Sequence, residues 1–475
     1  MSREYLNYLI RKRAVVLGFF AMCCLGISIA WAAGGLADTA MLRGSETAAA
    51  LTMLMAIGFP LVQFSYVHRR SSADRFFALP VSREKQLVTE IAFLFGSCAV
   101  CYLVIMCILY AMYGIGHMAA GQFLLILAAV LLSLLEAVLI SSCLYLIANS
   151  VFDGIMICAA YTFLPLTAAV TVTTFHGSLV AGDHGYSSGL SYLLSPAALA
   201  FRFITSVHNG EPVSVPEVLL GIAYALLACF GLYRNYAERK TERAEQLSDS
   251  LFAYPVIINI YAAATLFCLA CDTVSHRPDF ILYLILFVVY IIAQFVYKRK
   301  IELKPVYLAV FAGLLAVTHI TAYAGWKTHG FGEAERLPLP TENIRTYDYY
   351  AYVTPEDLGK ADPEYRVCVR VMINIPRGKE ASYREAIDIL EAYRKKAIDW
   401  YYERSADSTG DTGRLNVYGK QAENSYDMTG HLWYGVKEPI PEKDLIRLSE
   451  YGSVQVESPV LEESYSLSQY IEKRR

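Results

Sequence analysis

Residues able to do chemistry are sparse along this chain, and their spacing excludes the common catalytic patterns. Three glycine-lysine pairs, Gly359-Lys360, Gly378-Lys379 and Gly419-Lys420, lack both an upstream glycine at phosphate-loop spacing and a following serine or threonine. Without those groups no nucleotide phosphate or Mg2+ is cradled, so any ATP hydrolysis has to come from another polypeptide. The 9 histidines include no H-E-x-x-H pair. Cys268-Leu269-Ala270-Cys271 is a solitary C-x-x-C inside an apolar run, which reads as packing rather than as a zinc or redox site. No G-x-S-x-G turn offers a nucleophile. The expectation is a chain with no catalytic residues, no metal site and no cofactor of its own.

Two features remain. Glu136 lies in the middle of a long apolar run together with Ser133, Ser141 and Ser142. A carboxyl group at that depth has to face a helix-bundle interior or a wet cavity and should find a hydrogen-bonding partner; it either fixes helix contacts or takes part in passage of a substrate. The other feature is the basic stretch 68–86. Ser71 or Ser72 is placed to cap a short helix through Ala78, Pro80 ends it, and Ser82 caps the next helix. Phe76, Phe77 and Leu79 would be its apolar anchors, with Arg75 and Arg83 at the rim. Aromatic residues with arginine make up an interaction hot spot; the same composition also fits an interfacial turn dipped among lipid headgroups.

These features need elements to carry them, and composition says which. Of 475 residues, 55% are hydrophobic and 18% charged, and the mean hydropathy is +0.37. An ordinary soluble domain has roughly 45–50% and about 25%. A bilayer core needs about 20 apolar residues per spanning helix. Nine runs meet or approach that length: Ala14 to Gly34, Thr47 to Val67, Ile91 to Met112, Gln122 to Ala148, Gly154 to Phe175, Val218 to Tyr233, Ala253 to Cys271, Phe280 to Tyr297 and Val306 to Trp326. The sixth is short enough to depend on Tyr224 and Tyr233 as interfacial anchors.

Lysine and arginine resist translocation, so their distribution orients the spans. With the N-terminus in the cytosol, seventeen fall on the cytosolic side, in four clusters at 3–13, 69–85, 234–243 and 298–304; within the membrane part only Arg43, Arg202 and Arg277 fall opposite. Everything after Trp326 then lies outside the cytosol. Arg11-Lys12-Arg13, the apolar run and Ala30-Trp31-Ala32 also fit a cleavable leader, which would leave the later topology unchanged. Tyr5, Leu6, Leu9 and Ile10 recur at helical spacing, so 1–13 is expected as an amphipathic helix at the cytosolic surface. The net charge of −3 and a pI near 6.3 give no reason to expect a nucleic-acid partner. Ten of the 11 cysteines lie at or before Cys271, leaving Cys368 alone in the polar tail with nothing there to pair with.

The layout of an amphipathic N-terminal helix, two spans, a basic loop and four more spans resembles the ABC-2 type permeases of bacterial ATP-binding cassette transporters. The loop carries the likeness most closely. A D-x-F-x-x-L-P-[VI]-x-R pattern precedes the third span in the Gram-positive branch of that family, and it stands here from Asp74 to Arg83. The resemblance implies that Asp74, Arg75, Phe76, Phe77, Leu79, Pro80 and Arg83 form a coupling helix that docks on a separate ATP-binding subunit, which holds ATP and Mg2+. It also implies a second permease, identical or different, and a bacterial cell-membrane location. The apolar stretch Leu190 to Leu199 looks like the family's re-entrant outer segment. The likeness covers 1–240; three further spans depart from it. The charged link Arg234 to Asp249 is either a second ATPase contact or a solvated helix end.

The expected organisation is therefore a surface helix (1–13), a six-span core (14–240), three added spans (241–326), a linker (327–342) and a small extracytoplasmic α+β domain (343–475). In that last domain Tyr365 to Val371 alternates as a strand, with further strands at Arg414 to Tyr418, His431 to Tyr434 and Ser453 to Val456. Ser382-x-x-Glu385 opens a helix as a capping box, and Glu442 to Tyr451 forms another, ended by Gly452. The tyrosines at 347, 349, 350 and 352 and the run Trp400-Tyr401-Tyr402 are either core or a ligand platform. The function expected from the whole is a non-catalytic permease subunit, an exporter that forms the translocation pathway and couples to a separate ATPase through the first cytoplasmic loop. The alternative is a membrane sensor or scaffold whose outer domain binds a peptide or cell-wall ligand.

Overall fold

The computed structural model describes all residues except 1–2, 35–36, 79–80, 116, 183–194, 211–214, 238, 240–241, 243, 247, 249, 251, 276–279, 337–343, 354–366, 377, 404–412, 421–431, 438, 459–462 and 467–475. Among the described residues nine helices are long and apolar enough to cross a membrane. The chain is a polytopic helical membrane protein. The long helices are α1 (Arg3–Ala33), α2 (Ala37–Gln63), α4 (Arg83–Leu109), α5 (Ala120–Ile147), α6 (Val151–Leu179), α8 (Val215–Ala237), α9 (Tyr254–Ser275), α10 (Phe280–Lys298) and α11 (Pro305–Lys327). Two short helices intervene: α3 (Arg70–Phe77) and α7 (Pro196–His208).

Each of the nine apolar runs becomes a helix, usually a few residues longer than the run itself. The sixth, the shortest run, gains seven residues. At 23 residues α8 is long enough to cross without special anchoring, since polar flanks extend a helix as readily as apolar residues once its backbone bonds are under way. The break expected at residue 13 is absent. α1 runs unbroken through Arg11, Lys12 and Arg13, because arginine and lysine are good helix formers and Tyr5 and Leu9 are already held against Phe93 of α4.

Cα packing divides the chain into two units, one of 1–167, 189–261 and 296–300, the other of 168–188, 262–295 and 301–475. The division falls within α6, α9 and α10, not at the expected 327–342 linker. In the first unit α2, α4 and α5 pack together around Leu94, Ile105, Met106, Ile126 and Leu134, all fully or almost fully buried. α7 adds Leu199, Ala200, Phe203, Ile204 and Val207 to the buried set. Its 13 residues span about 20 Å at 1.5 Å each, too short to cross a bilayer. Of the segment expected to be re-entrant, Leu190 to Leu194 lie outside the described residues; Pro196 starts α7 at its first turn.

In the second unit a six-stranded antiparallel sheet has the order β4-β3-β1-β2-β5-β6. The strands are β1 (Ile344–Val353), β2 (Val367–Pro376), β3 (Gly413–Lys420), β4 (Leu432–Val436), β5 (Ser453–Ser458) and β6 (Glu463–Ser466). Alternate residues on one face, Tyr347 and Tyr349 on β1, Val369, Val371 and Ile373 on β2, Leu415 and Val417 on β3, are buried with Leu390, Ala397 and Ile398 of the helix Arg384–Glu403. Tyr347 and Tyr349 of β1 are thus core residues. On β1, Asp348 is buried and accepts a two-pronged bond from Arg370 at 3.0 and 3.1 Å. Ser382 does not cap the helix; it lies within a 3-10 turn, Glu380–Tyr383, that precedes it.

The same helix fixes the sheet to two of the long helices. Tyr401 and Tyr402 donate to the carbonyls of Ser178 and Leu179 at the end of α6, at 2.9 and 2.7 Å, and the amide of Ala181 donates back to the Tyr402 hydroxyl at 3.1 Å. Trp326 of α11 packs against both rings, 5.4 and 5.1 Å between centroids. Most of the expected linker is consequently structured: the turn after α11 has Gly330 at φ +68°, where a Cβ would also run into Val180 and the Leu179 carbonyl. Burial and Glu391 hold the Tyr347 hydroxyl well above the usual phenol range, and burial does the same for Tyr402. Tyr402→Phe removes a bond at each of two backbone groups and is expected to cost about 1–3 kcal/mol. Amide hydrogen exchange at 176–182 and 397–403 should speed up in this variant and stay unchanged in Tyr383→Phe.

Candidate functional site

The basic loop and its surroundings are built from five elements. α2 ends in a 3-10 turn, Phe64–His68, which carries Tyr66 and His68 inward. α3 follows at once. Its N-cap is Arg69, whose carbonyl accepts from the amides of Ser72 and Ala73 at 3.0 and 2.8 Å. Ser71 and Ser72 are therefore inside the first turn and not at the cap. Ser82 does sit at the N-cap of α4, with no side-chain capping bond.

Behind α3 lies a buried polar node. Glu90 on α4 is fully buried, and its Oε1 accepts from Tyr5 of α1 at 2.6 Å and from Tyr66 at 3.0 Å. A phenol has one proton, so with that of Tyr66 given to Glu90 the Tyr236 hydroxyl on α8 donates to Tyr66, at 2.8 Å. Gln86 also donates to Tyr66, at 3.3 Å. Oε2 of Glu90 has no partner among the described residues. A carboxyl group taken from water costs several kcal/mol unless hydrogen bonds replace hydration. Here they come from three separate helices and the turn, so the node holds those elements together as one unit.

Phe76 and Phe77 turn toward this node. Phe76 stacks on Tyr66 with 4.1 Å between ring centroids, and Phe77 meets the edge of Tyr236 at 5.8 Å. Both are half-buried, whereas Asp74 and Arg75 are exposed. Arg75 bonds only within its own helix, to the Ser71 carbonyl at 3.1 Å among the bonds described. Arg83 lies 4.4 Å over the Phe77 ring and donates to the carbonyls of Ala237 and Arg239 at 3.2 and 2.9 Å, closing the C-terminal end of α8. Leu79 and Pro80 lie outside the described residues.

A second arginine was missed in the sequence. Arg239, in the link after α8, is buried and donates to Leu146 and Ala148 at the end of α5, at 2.7 and 2.8 Å. Its Nη2 also meets His68 Nδ1 at 3.2 Å, and since a guanidinium only donates, that ring nitrogen accepts. Arg70 reaches the carbonyls of Ala244 and Glu242 at 3.2 and 3.4 Å. This part of the link is folded onto helix ends and is not the solvated helix end that its charge favoured. The signal available was spacing: Arg83, Gln86 and Glu90 recur at i, i+3 and i+7, one face of a helix.

Glu136 stands apart from this node. On α5 it is 1% exposed, and it lies so close to Gly221 of α8 that a Cβ there would collide with its Oε1. Its Oε2 has no partner among the described residues. Ser141 bridges to α2 through the Ala56 carbonyl at 3.0 Å; the hydroxyls of Ser133 and Ser142 have no partner among the described residues. Near the start of α6, Ser150 caps the helix, while Asp153 accepts from Tyr254 at 2.9 Å and from Arg299 at 3.3 Å. No group of three or more potential metal ligands occurs among the described residues.

Comparison with protein-family models, curated proteins and solved structures gave no match.

Two outcomes test this geometry. Glu90→Gln and Tyr5→Phe should each lower stability, by about 1–3 kcal/mol, with a coupling of about 1 kcal/mol in the double variant because both remove one shared bond; thermal melts in detergent measure the cycle. Gly221→Ala should cost about 1–3 kcal/mol by overpacking. Glu136→Ala in the same chain should recover most of that loss, since it removes the colliding atoms.

Proposed function

We propose that this chain is the permease subunit of an ATP-binding cassette transporter of the ABC-2 type, paired with a separate ATPase and a second permease. In this reading it exports a substrate or draws one out of the membrane. The observation that carries it is the segment Asp74 to Arg83, which matches the family's coupling pattern and lies between the second and third apolar helices. The short helix α3 supports a docking role because its exposed residues, Asp74 and Arg75 among them, are polar, whereas it turns Phe76 and Phe77 inward. The lack of any phosphate-loop pattern supports an ATPase on another chain.

Within this reading, closure of the ATPase presses on α3. Phe76 passes the displacement to Tyr66, and Phe77 to Tyr236, so that α2, α4 and α8 move together through the Glu90 node. Glu136, beside Gly221 between α5 and α8, is then the polar group in the bundle interior that a moving pathway would expose. The basic clusters support a cytosolic N-terminus and an α+β domain on the outer side.

The second reading, a sensor with a ligand-binding outer domain, draws on one feature. An open groove of about 720 Å³ runs beside the helix Arg384–Glu403, lined by Arg384, Glu385, Asp388, Lys396, Asp444 and Arg447. Charges of both signs there suit a zwitterionic or peptide ligand.

Phe77→Asp is a poor test of docking, because it also breaks the packing on Tyr236. The exposed pair is cleaner. Asp74→Arg combined with Arg75→Glu should abolish co-purification of the ATPase and its stimulated hydrolysis while the melting temperature stays within a degree or so of the parent, as surface changes cost about 0.5 kcal/mol or less. Full co-purification and turnover in that variant would sink the docking assignment.

A further inference from the structure

A small pocket lies between the start of α1 and the turn that leads into α3. It has a volume of about 180 Å³, the share of about six waters at 30 Å³ each. Three cations line it, Lys12 and Arg13 from α1 and Arg69 from the loop, with neutral Gln63 and Ser72 beside them. No carboxylate lines it, and none pairs with these three cations among the described residues. The Nε of Arg13 is shielded from solvent and has no hydrogen-bond partner among the described residues. Three unneutralised positive charges with an orphaned guanidinium donor need an anion, and a phosphate accepts a guanidinium fork in its own plane.

The rest of the surroundings say which phosphate. Leu9 and Phe76 give the pocket an apolar wall. Directly after Arg13, α1 presents an exposed apolar stripe of Val15, Val16, Phe19 and Met22, each more than 60% exposed. Lys12 and Arg13 thus stand at the border where the apolar run begins, the level of lipid phosphates in a bilayer. We propose that the pocket binds the phosphodiester of an anionic membrane lipid, whose acyl chains lie along the stripe on α1. The bound lipid bridges α1 to Arg69 and Phe76 and so ties the loop helix to the charge of the surrounding leaflet. This site needs only a membrane-embedded chain and does not depend on an ATPase partner.

The test uses the full chain purified in detergent and in nanodiscs. Native mass spectrometry reads the lipid retained, and thermal melts are recorded with short-chain phosphatidylglycerol, with the matching phosphatidylcholine and with inorganic phosphate. Phosphatidylglycerol should be retained and should raise the melting temperature more than the other two. Arg13→Gln and Arg69→Gln should each weaken its binding about fivefold, the loss of one basic residue near an anionic surface. Arg11→Gln, which lies off the pocket, should not. Arg69 is exposed, so its variant keeps the test valid if Arg13→Gln misfolds. Equal stabilisation by inorganic phosphate, lost in the same variants, would make this a free-phosphate site and overturn the lipid assignment. Equal retention of phosphatidylcholine, or unchanged binding in both variants, would overturn the site itself.

Discussion

A buried carboxyl group sets the terms for the helical bundle. Glu90 lies where no water replaces its hydration, so hydrogen-bond donors have to be brought to it from elsewhere in the chain. Tyr5, 85 residues before it in sequence, and Tyr66, 24 before it, supply them. Tyr236 and Gln86 in turn fix Tyr66. Such a network is worth more complete than in parts, because losing one donor leaves others unsatisfied in a medium of low dielectric. The node therefore specifies which helices lie together more sharply than apolar packing would, since lipid tails compete equally for apolar helix faces.

Arginines make the same point at the helix ends. The last turn of a helix has carbonyls without internal partners, and burying that end demands donors. Arg83 closes α8 and Arg239 closes α5, so two residues that belong to the basic clusters of the sequence are structural. Arg70 likewise holds the link after α8. Of the exposed charged residues on the loop helix, Arg70 is tied to the link, which leaves Asp74 and Arg75 as a smaller set than composition implied. A basic stretch is thus not equivalent to a basic surface.

This explains how far the sequence could be read. Long apolar runs are a strong, local signal, and the nine helices follow them. Alternation in β2 and β5 was equally local, whereas β6 is only four residues long, with too little pattern to read. Glu136 was legible because a charge in mid-run is conspicuous. Glu90 was not, since it stands near the charged end of its helix, where a carboxylate is ordinarily solvated. Nothing in the sequence joins residues 5, 66, 90 and 236; their meeting depends on how the helices pack. The roles of Phe76 and Phe77 were half legible: their types indicated contact, and only the fold tells inward from outward.

The inward turn of those rings has a mechanical consequence. Had Phe76 and Phe77 pointed away from the bundle, the loop helix would hang from α2 and α4 by backbone alone, and a push on it would be absorbed by the chain at either end. Stacked on Tyr66 and Tyr236, they make the helix part of a rigid body that includes Glu90. Packed interiors transmit displacement because they have few voids to take it up. A displacement of α3 is then felt at α1, α4 and α8 together, through contacts within the chain.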